Sequence, residues 1–254
     1  MNMETKKDAL VVEAYPTRKE MGEAVAKDVG LAIQEILNGQ DEVNIIFAAA
    51  PSQKDLYESL LTQDIPWDRI NALHMDEYIG VTDDQPQSFR HYLKKNLFEK
   101  VPLKSIHYIQ GENTDVDKEC ARYTHILATH KPDIVCMGIG ENTHIAFNDP
   151  PVADFKDPKS VKRVELDEMC RQQQVNDGCF PTIGDVPTHA LTLTIPTLIS
   201  APYIFCVVPG ATKAQAVYQT LHEDISEKFP STILRRHPRA KLYLDKESSR
   251  LLED

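Results

Sequence analysis

Short apolar runs alternate with longer amphipathic segments along almost the whole chain, and this rhythm constrains the fold more than any other feature. Residues 10–14, 43–49, 70–75, 106–109, 133–137, 161–166, 190–194, 203–208 and 241–244 read as strands. Residues 17–38, 54–61, 88–100, 116–129 and 213–222 read as helices, with a short polar helix around Arg171 and a helical turn at 197–200. The first helix has Thr17 and Glu20 at capping-box spacing, and Met21, Val25, Val29, Ala32, Ile33, Ile36 and Leu37 on one face; Gly39 is placed to end it. Strand–helix alternation of this kind predicts βαβ units, hence an α/β fold whose parallel sheet is covered on both faces. No Pro/Gly/Ser-rich linker, repeat or low-complexity tract interrupts it, so a single domain over residues 1–254 is expected.

The formal net charge of −11 argues against nucleic acid or an anionic membrane surface as a partner. A phosphate ligand would then need a locally positive site. No stretch has the length of a membrane span, and the polar residues 1–8 lack the apolar centre of a signal peptide. Five cysteines, with no CxxC pair, fit a reduced cytoplasmic protein in which they act as small apolar fillers. The histidines show no ligand spacing, so no metal is expected.

In parallel sheets, ligands sit outside the carboxyl ends of the strands. Asp76 follows an apolar strand directly; its carboxylate is either a desolvated general base or an ion-paired turn residue. Residues 138–150 leave a strand through Gly138 and Gly140, then present Asn142, His144 and an Asn-Asp-Pro string ending in Asp149 and Pro150. The glycines permit close backbone approach, and a histidine with amide or carboxylate neighbours suits proton transfer. There is no third glycine at dinucleotide-binding spacing, because position 143 is threonine. In residues 208–214, Thr212 is a suitable N-cap and Lys213 falls in the first helical turn. A cation is disfavoured there unless it shares an anion with the helix N–H groups; the alternative is a solvated surface lysine. Arg171 lies in a polar stretch, residues 170–178, and is either a bidentate phosphate ligand or part of an ordinary polar helix face. Ser52, between a strand and a helix, can cap that helix or donate to a phosphate.

Together these segments resemble one family. Met75-Asp76-Glu77-Tyr78 is similar to the Met-Asp-Glu-Tyr motif of glucosamine-6-phosphate deaminases/isomerases. Gly140 with His144-Ile145-Ala146-Phe147-Asn148-Asp149-Pro150 is similar to their Gly-x-Gly-Asn-Asp-Gly-His-Ile-Ala-Phe-Asn-Glu-Pro loop, and Gly210 with Lys213-Ala214 to their phosphate-side lysine segment. The resemblance implies a three-layer α/β/α sandwich related to ribose-5-phosphate isomerases. It also implies ring opening of a hexosamine 6-phosphate and conversion to a ketose phosphate plus ammonia, without a cofactor. Asp76 would move a proton between C2 and C1, His144 would assist ring opening, and Asp149 would orient His144. Ser52, Arg171 and Lys213 would hold the phosphate.

The chain departs from that pattern in several places. Asn142 stands where the family has aspartate; an amide can orient His144 but adds no charge. Thr143 replaces a glycine, Asp149 is one methylene shorter than glutamate, and Ala50-Pro51-Ser52 replaces a Gly-Gly-Thr loop, with Pro51 removing one N–H donor. These departures point to altered specificity, with a galactosamine phosphate as one option. Two other readings stand beside the deaminase: a 6-phosphogluconolactonase, whose strand-end motif has arginine where this chain has Tyr78, and a non-catalytic sugar-phosphate binding protein. The oligomeric state is left open, a homo-oligomer included.

Overall fold

The computed structural model describes residues 3–176 and 178–252. The main sheet has eight strands: β1 (Met3–Lys7), β2 (Leu10–Tyr15), β3 (Val43–Phe47), β4 (Ile70–His74), β6 (Ser105–His107), β7 (Ile134–Met137), β10 (Tyr203–Val208) and β11 (Ala240–Asp245). Their order is β1-β2-β11-β10-β7-β3-β4-β6, and every pairing is parallel except β1 with β2. The three-layer α/β/α architecture is therefore the one expected.

Alternation along the central strands explains the layering. On β10, Ile204, Cys206 and Val208 enter one core, while Phe205 and Val207 enter the core on the opposite face. On β7, Val135 and Met137 are separated from Ile134 and Cys136 in the same way. A strand apolar on both faces must be covered twice. Cover comes from helices α1 (Arg18–Leu37), α2 (Lys54–Leu60), α3 (Phe89–Asn96), α4 (Val116–Thr129), α5 (Glu168–Asn176), α6 (Ile195–Ile199) and α7 (Ala214–His222). The Glu20 N–H donates to Thr17 Oγ1 at 3.1 Å, and the buried stripe of α1 is Met21, Val25, Val29, Ala32 and Ile33. The helix ends on Asn38, and Gly39 takes no left-handed conformation. A Cβ on Gly22 would lie 2.7 Å from the Asp55 carbonyl oxygen, so only glycine lets α2 approach α1 this closely.

Two features differ from the sequence expectation. The expected strands at 161–166 and 190–194 do not join the parallel sheet. They form β8 (Val161–Glu165) and β9 (His189–Leu193), which pair antiparallel with each other and with β5 (Asp76–Tyr78) in a second, three-stranded sheet. The reason is written in β8, where Arg163 and Glu165, two positions apart on one face, are exposed while Val164 is buried on the other. One wet face suits an antiparallel sheet and not the middle of a parallel one. The second difference is β1, which sequence patterning does not show because Glu4, Thr5, Lys6 and Lys7 are polar. It is an edge strand, closed onto β2 by a tight turn with Asp8 at φ 53°.

No helix among the described residues is long and apolar enough to cross a membrane.

Candidate active site

The carboxyl ends of β3, β4, β7 and β10 open onto one cleft of about 630 Å³, a volume that suits a small phosphorylated sugar. Its lining includes Ser52, Asp76, Gly138, Gly140, His144 and Lys213, together with Arg18, Gln173, Gln174, Phe89 and Phe147. The direction in which successive strands are added reverses at this point: β4 and β6 lie on one side of β3, while β10, β11 and β2 lie beyond β7.

Asp76 is the first residue of β5 and is only 8% exposed. Burial, then the neighbouring Glu77 charge, pushes its carboxyl well above the usual range. Glu77 shares the motif but is fully committed elsewhere. Its Oε2 accepts the Ser88 hydroxyl at 2.8 Å and the Arg90 N–H at 3.1 Å, and Oε1 accepts the Phe89 N–H at 3.1 Å. It therefore satisfies the open N–H groups of α3 and pairs with the Arg90 guanidinium at 3.3 Å. Of the two adjacent carboxylates, Asp76 alone lines the cleft. His74 braces it from behind, with ring Nδ1 3.0 Å from Asp76 O and Nε2 accepting the Ile109 N–H at 2.8 Å.

Across the cleft, residues 138–150 fold back on themselves through hydrogen bonds from Gly140 N–H to His144 O and from Thr143 N–H to Gly140 O. The His144 ring then lies directly over Gly140. A Cβ at that glycine would be 2.1 Å from the ring carbon Cε1 and 2.2 Å from Nδ1. Thr143 adopts φ 67° where the family's glycine would be unstrained, and its hydroxyl is buried without a partner. The second sheet anchors the loop: the Phe147 N–H donates to Thr192 Oγ1 at 3.1 Å, and Asn148 Nδ2 donates to Leu193 O at 2.8 Å. Because Thr192 is also paired with Asp76 across β5 and β9, one small sheet positions both halves of the site.

His144 Nδ1 lies 2.7 Å from Asn142 Oδ1 and 2.9 Å from Asp149 Oδ1. Both neighbours are acceptors, so Nδ1 carries the proton, and in the neutral ring Nε2 keeps its lone pair. Asn142 Nδ2 donates to Asp149 Oδ1 at 3.0 Å, which fixes the amide with its oxygen toward the ring. Asn142 thus bridges ring and carboxylate by hydrogen bonds where a second carboxylate would add charge. Asp149 is 1% exposed. Burial raises its pKa, but the His144 charge and the His144 and Asn142 hydrogen bonds outweigh that, so its carboxyl stays below the usual range.

The phosphate-side expectations are partly redrawn. Lys213 is 7% exposed in the cleft wall, which removes the solvated-surface alternative. Thr212 is not the helix cap: residues Ala211–Lys213 form a 3-10 turn, and Lys213 itself holds the N-cap position of α7. Ser52 lies in another 3-10 turn, Pro51–Gln53, without capping α2; its Oγ accepts from Gln53 Nε2 at 3.2 Å and lines the cleft. Arg171 is turned away. Its Nη2 donates to Ile183 O at 2.6 Å and Val186 O at 2.9 Å, tying α5 to the following turn, and it has no place in the cleft wall. Its helix contributes Gln173 and Gln174 instead. Asp177, from the same polar stretch, lies outside the described residues. The cation that does line the cleft beside Ser52 and Lys213 is Arg18, whose Nε and Nη2 pair with Asp55 at 2.9 and 2.6 Å. It follows a strand and opens a helix, the same context that singled out Lys213 in the sequence.

A family model described as glucosamine-6-phosphate isomerases/6-phosphogluconolactonase matches residues 16–243. The chain is 32% identical over 238 residues to a glucosamine-6-phosphate deaminase of Bacillus cereus (strain B4264), covering 94% of this chain and 87% of that protein. A deaminase of Bacillus anthracis (strain A0248) matches with the same identity and coverage. Among solved structures, a monomeric glucosamine-6-phosphate deaminase superimposes with a TM-score of 0.86 at 29% identity, covering 94% of this chain and 99% of that one. The 6-phosphogluconolactonase of Thermotoga maritima superimposes with a TM-score of 0.76 at 20% identity over 93% of this chain and 100% of that one, a likeness of fold. With the Met75–Tyr78 and Gly138–Pro150 segments converging on one cleft, the chain belongs to the family of glucosamine-6-phosphate isomerases and 6-phosphogluconolactonases.

Proposed function

We propose that this protein is a hexosamine-6-phosphate deaminase/isomerase acting in carbohydrate metabolism. The observation that carries this reading is Asp76: a buried, desolvated carboxylate in the cleft wall, with its neighbour Glu77 bound up in capping α3. Lactone hydrolysis needs activated water and no such carbon base. Aldose–ketose conversion needs a base on one face of the sugar to take a weakly acidic C–H proton.

In the proposed sequence, the phosphate is held by Lys213, Ser52 and Arg18, and the binding energy gained there positions the reacting carbons. Nε2 of His144 takes the O1 hydroxyl proton and passes it to the ring oxygen, which opens the ring. Asn142 and Asp149 hold the imidazole in the required tautomer. Asp76 then removes the C2 proton and returns it to C1 while a second proton passes from the nitrogen to O1, leaving an imine at C2. Water adds at C2 and ammonia leaves, giving the ketose 6-phosphate. The scheme runs on side chains, with no cofactor invoked, in one domain spanning the chain and with a small molecule as the ligand.

The test is ammonia release from glucosamine 6-phosphate and from galactosamine 6-phosphate, with 6-phosphogluconolactone as a control. Release from one or both epimers, lost by a factor of about 100 or more in Asp76→Asn, is the expected result. Lactone hydrolysis without ammonia release from either sugar would overturn it.

A further inference from the structure

We propose that His144, Asp149 and Cys170 form a binding site for a thiophilic divalent cation of the Zn²⁺ class, and that its occupancy switches the active-site histidine off. One donor atom from each residue lies within 4.8 Å of the other two, and all three residues are buried, at 8%, 1% and 1% exposure. The residues come from two separate segments, so sequence spacing does not reveal the site.

A second observation points to a ligand. Asp149 Oδ1 serves His144 and Asn142, but Asp149 Oδ2 is buried without a hydrogen bond of good geometry, the donors nearest the carboxylate being the Cys170 thiol and the Asp167 backbone. A carboxylate oxygen so weakly satisfied away from water is costly, and such groups are normally well paired or bound to a metal. The neighbouring Cys170 thiol is at best a weak donor, and the catalytic scheme gives it no task. Imidazole nitrogen, thiolate and carboxylate are a set that suits zinc, with a fourth position open to water; magnesium and calcium prefer oxygen alone. In a tetrahedral zinc site neighbouring donors stand roughly 3.5 Å apart. The widest separation therefore needs to shrink by about 1 Å, within reach of small side-chain rotations.

His144 lines the cleft, which gives the ion its entry. Asp149 binds as the carboxylate and His144 as the neutral ring. Cys170 binds as the thiolate, releasing one proton to solvent per ion. Whichever ring nitrogen is used, the base is lost: ligation at Nε2 occupies its lone pair, and ligation at Nδ1 moves the ring proton onto Nε2. The inhibitory consequence rests on the proposed deaminase reading; the binding itself does not.

Metal-depleted full-length protein should therefore be titrated with Zn²⁺ by calorimetry and with Co²⁺ by absorption, alongside Cys170→Ala and Cys170→Ser. The expected result is one ion per chain, a thiolate-to-cobalt charge-transfer band in the wild type, and loss of that band in both variants. Zn²⁺ should suppress ammonia release reversibly with chelator. Folded Cys170→Ala should keep the metal-free rate while Zn²⁺ sensitivity weakens roughly 10-fold or more. No binding by the wild type, or a cobalt–thiolate band that survives in folded Cys170 variants, would overturn the site. Equal Zn²⁺ inhibition of wild type and Cys170→Ala would do the same. If the wild type releases no ammonia, the deaminase reading fails, while the calorimetric and cobalt results still decide the site.

Discussion

Replacing His74 with glutamine should remove about 2 kcal/mol of the stability that the wild type loses between pH 7 and pH 5. His74 ends β4 with no exposure, and both ring nitrogens are used: Nδ1–H toward Asp76 O, Nε2 as acceptor of the Ile109 N–H. A proton at Nε2 would collide with that N–H. Burial, then the Arg90 charge, takes its pKa from 6.5 down to about 3, against a smaller upward pull from the Asp76 carbonyl. In the unfolded chain the ring takes its proton near the ordinary value of about 6.5. Below that pH the unfolded state binds more protons than the folded state, so stability is full above it and falls continuously toward pH 3. From pH 7 to pH 5 the linkage integral for this one group is about 2 kcal/mol, and any folded value below about 4 gives nearly the same figure. Asp76 and Glu77, whose pKa values are raised, work in the opposite direction, but they are present in both proteins and cancel in the difference. The assay is urea unfolding followed by circular dichroism at the two pH values for wild type and variant. His74→Gln will be less stable at pH 7, but its loss on acidification should be smaller by the stated amount. An identical loss in both proteins would refute the assignment of His74 as a buried neutral ring.

Arg18→Ala should raise the KM for the sugar phosphate by roughly 10-fold with little change in kcat, since a charge-assisted bond is worth about 1.5–3 kcal/mol. Arg171→Ala should instead lower stability by about 1–3 kcal/mol with KM held, because its nitrogen serves the Ile183 and Val186 carbonyls; the reverse pattern would sink this division of roles. Gly140→Ala puts a methyl 2.1–2.4 Å from the His144 ring atoms and should lower kcat by about 100-fold while inorganic phosphate still competes normally; a near-wild-type kcat would mean that the ring does not need this seat. Thr143→Gly relieves a left-handed threonine at φ 67° and removes an unpaired buried hydroxyl, at the cost of glycine's chain entropy. The net gain of about 1 kcal/mol should raise Tm by roughly 2–4 °C, and a fall would contradict the strain argument.

The local signals in the chain were strong enough to settle much of the fold. The apolar strands, the Thr17 cap and the helix stripes depend on residues a few positions apart, and α4 (Val116–Thr129) and β10 (Tyr203–Val208) run over the residues read from the pattern. The post-strand positions of Asp76, His144 and Lys213 were legible for the same reason, because a residue that ends a parallel strand is delivered to the ligand edge by the sheet itself. Other features were not local. Which sheet a strand joins depends on what covers its faces, so β5, β8 and β9 separated from the parallel sheet only in three dimensions. The direction of a long cationic side chain depends on acceptors far along the chain: Arg18 reaches the cleft beside Asp55, 37 positions away, while Arg171 is captured by carbonyls 12 and 15 positions on. The same holds for Asp149 and Cys170, which meet only because the loop carrying Asp149 packs against α5. The sequence by itself determined the strand–helix rhythm and the residues at the strand ends. The tertiary structure decided which charged groups face the substrate and which hold the scaffold, because burial and hydrogen-bond partners are set by contacts that chain order does not encode locally.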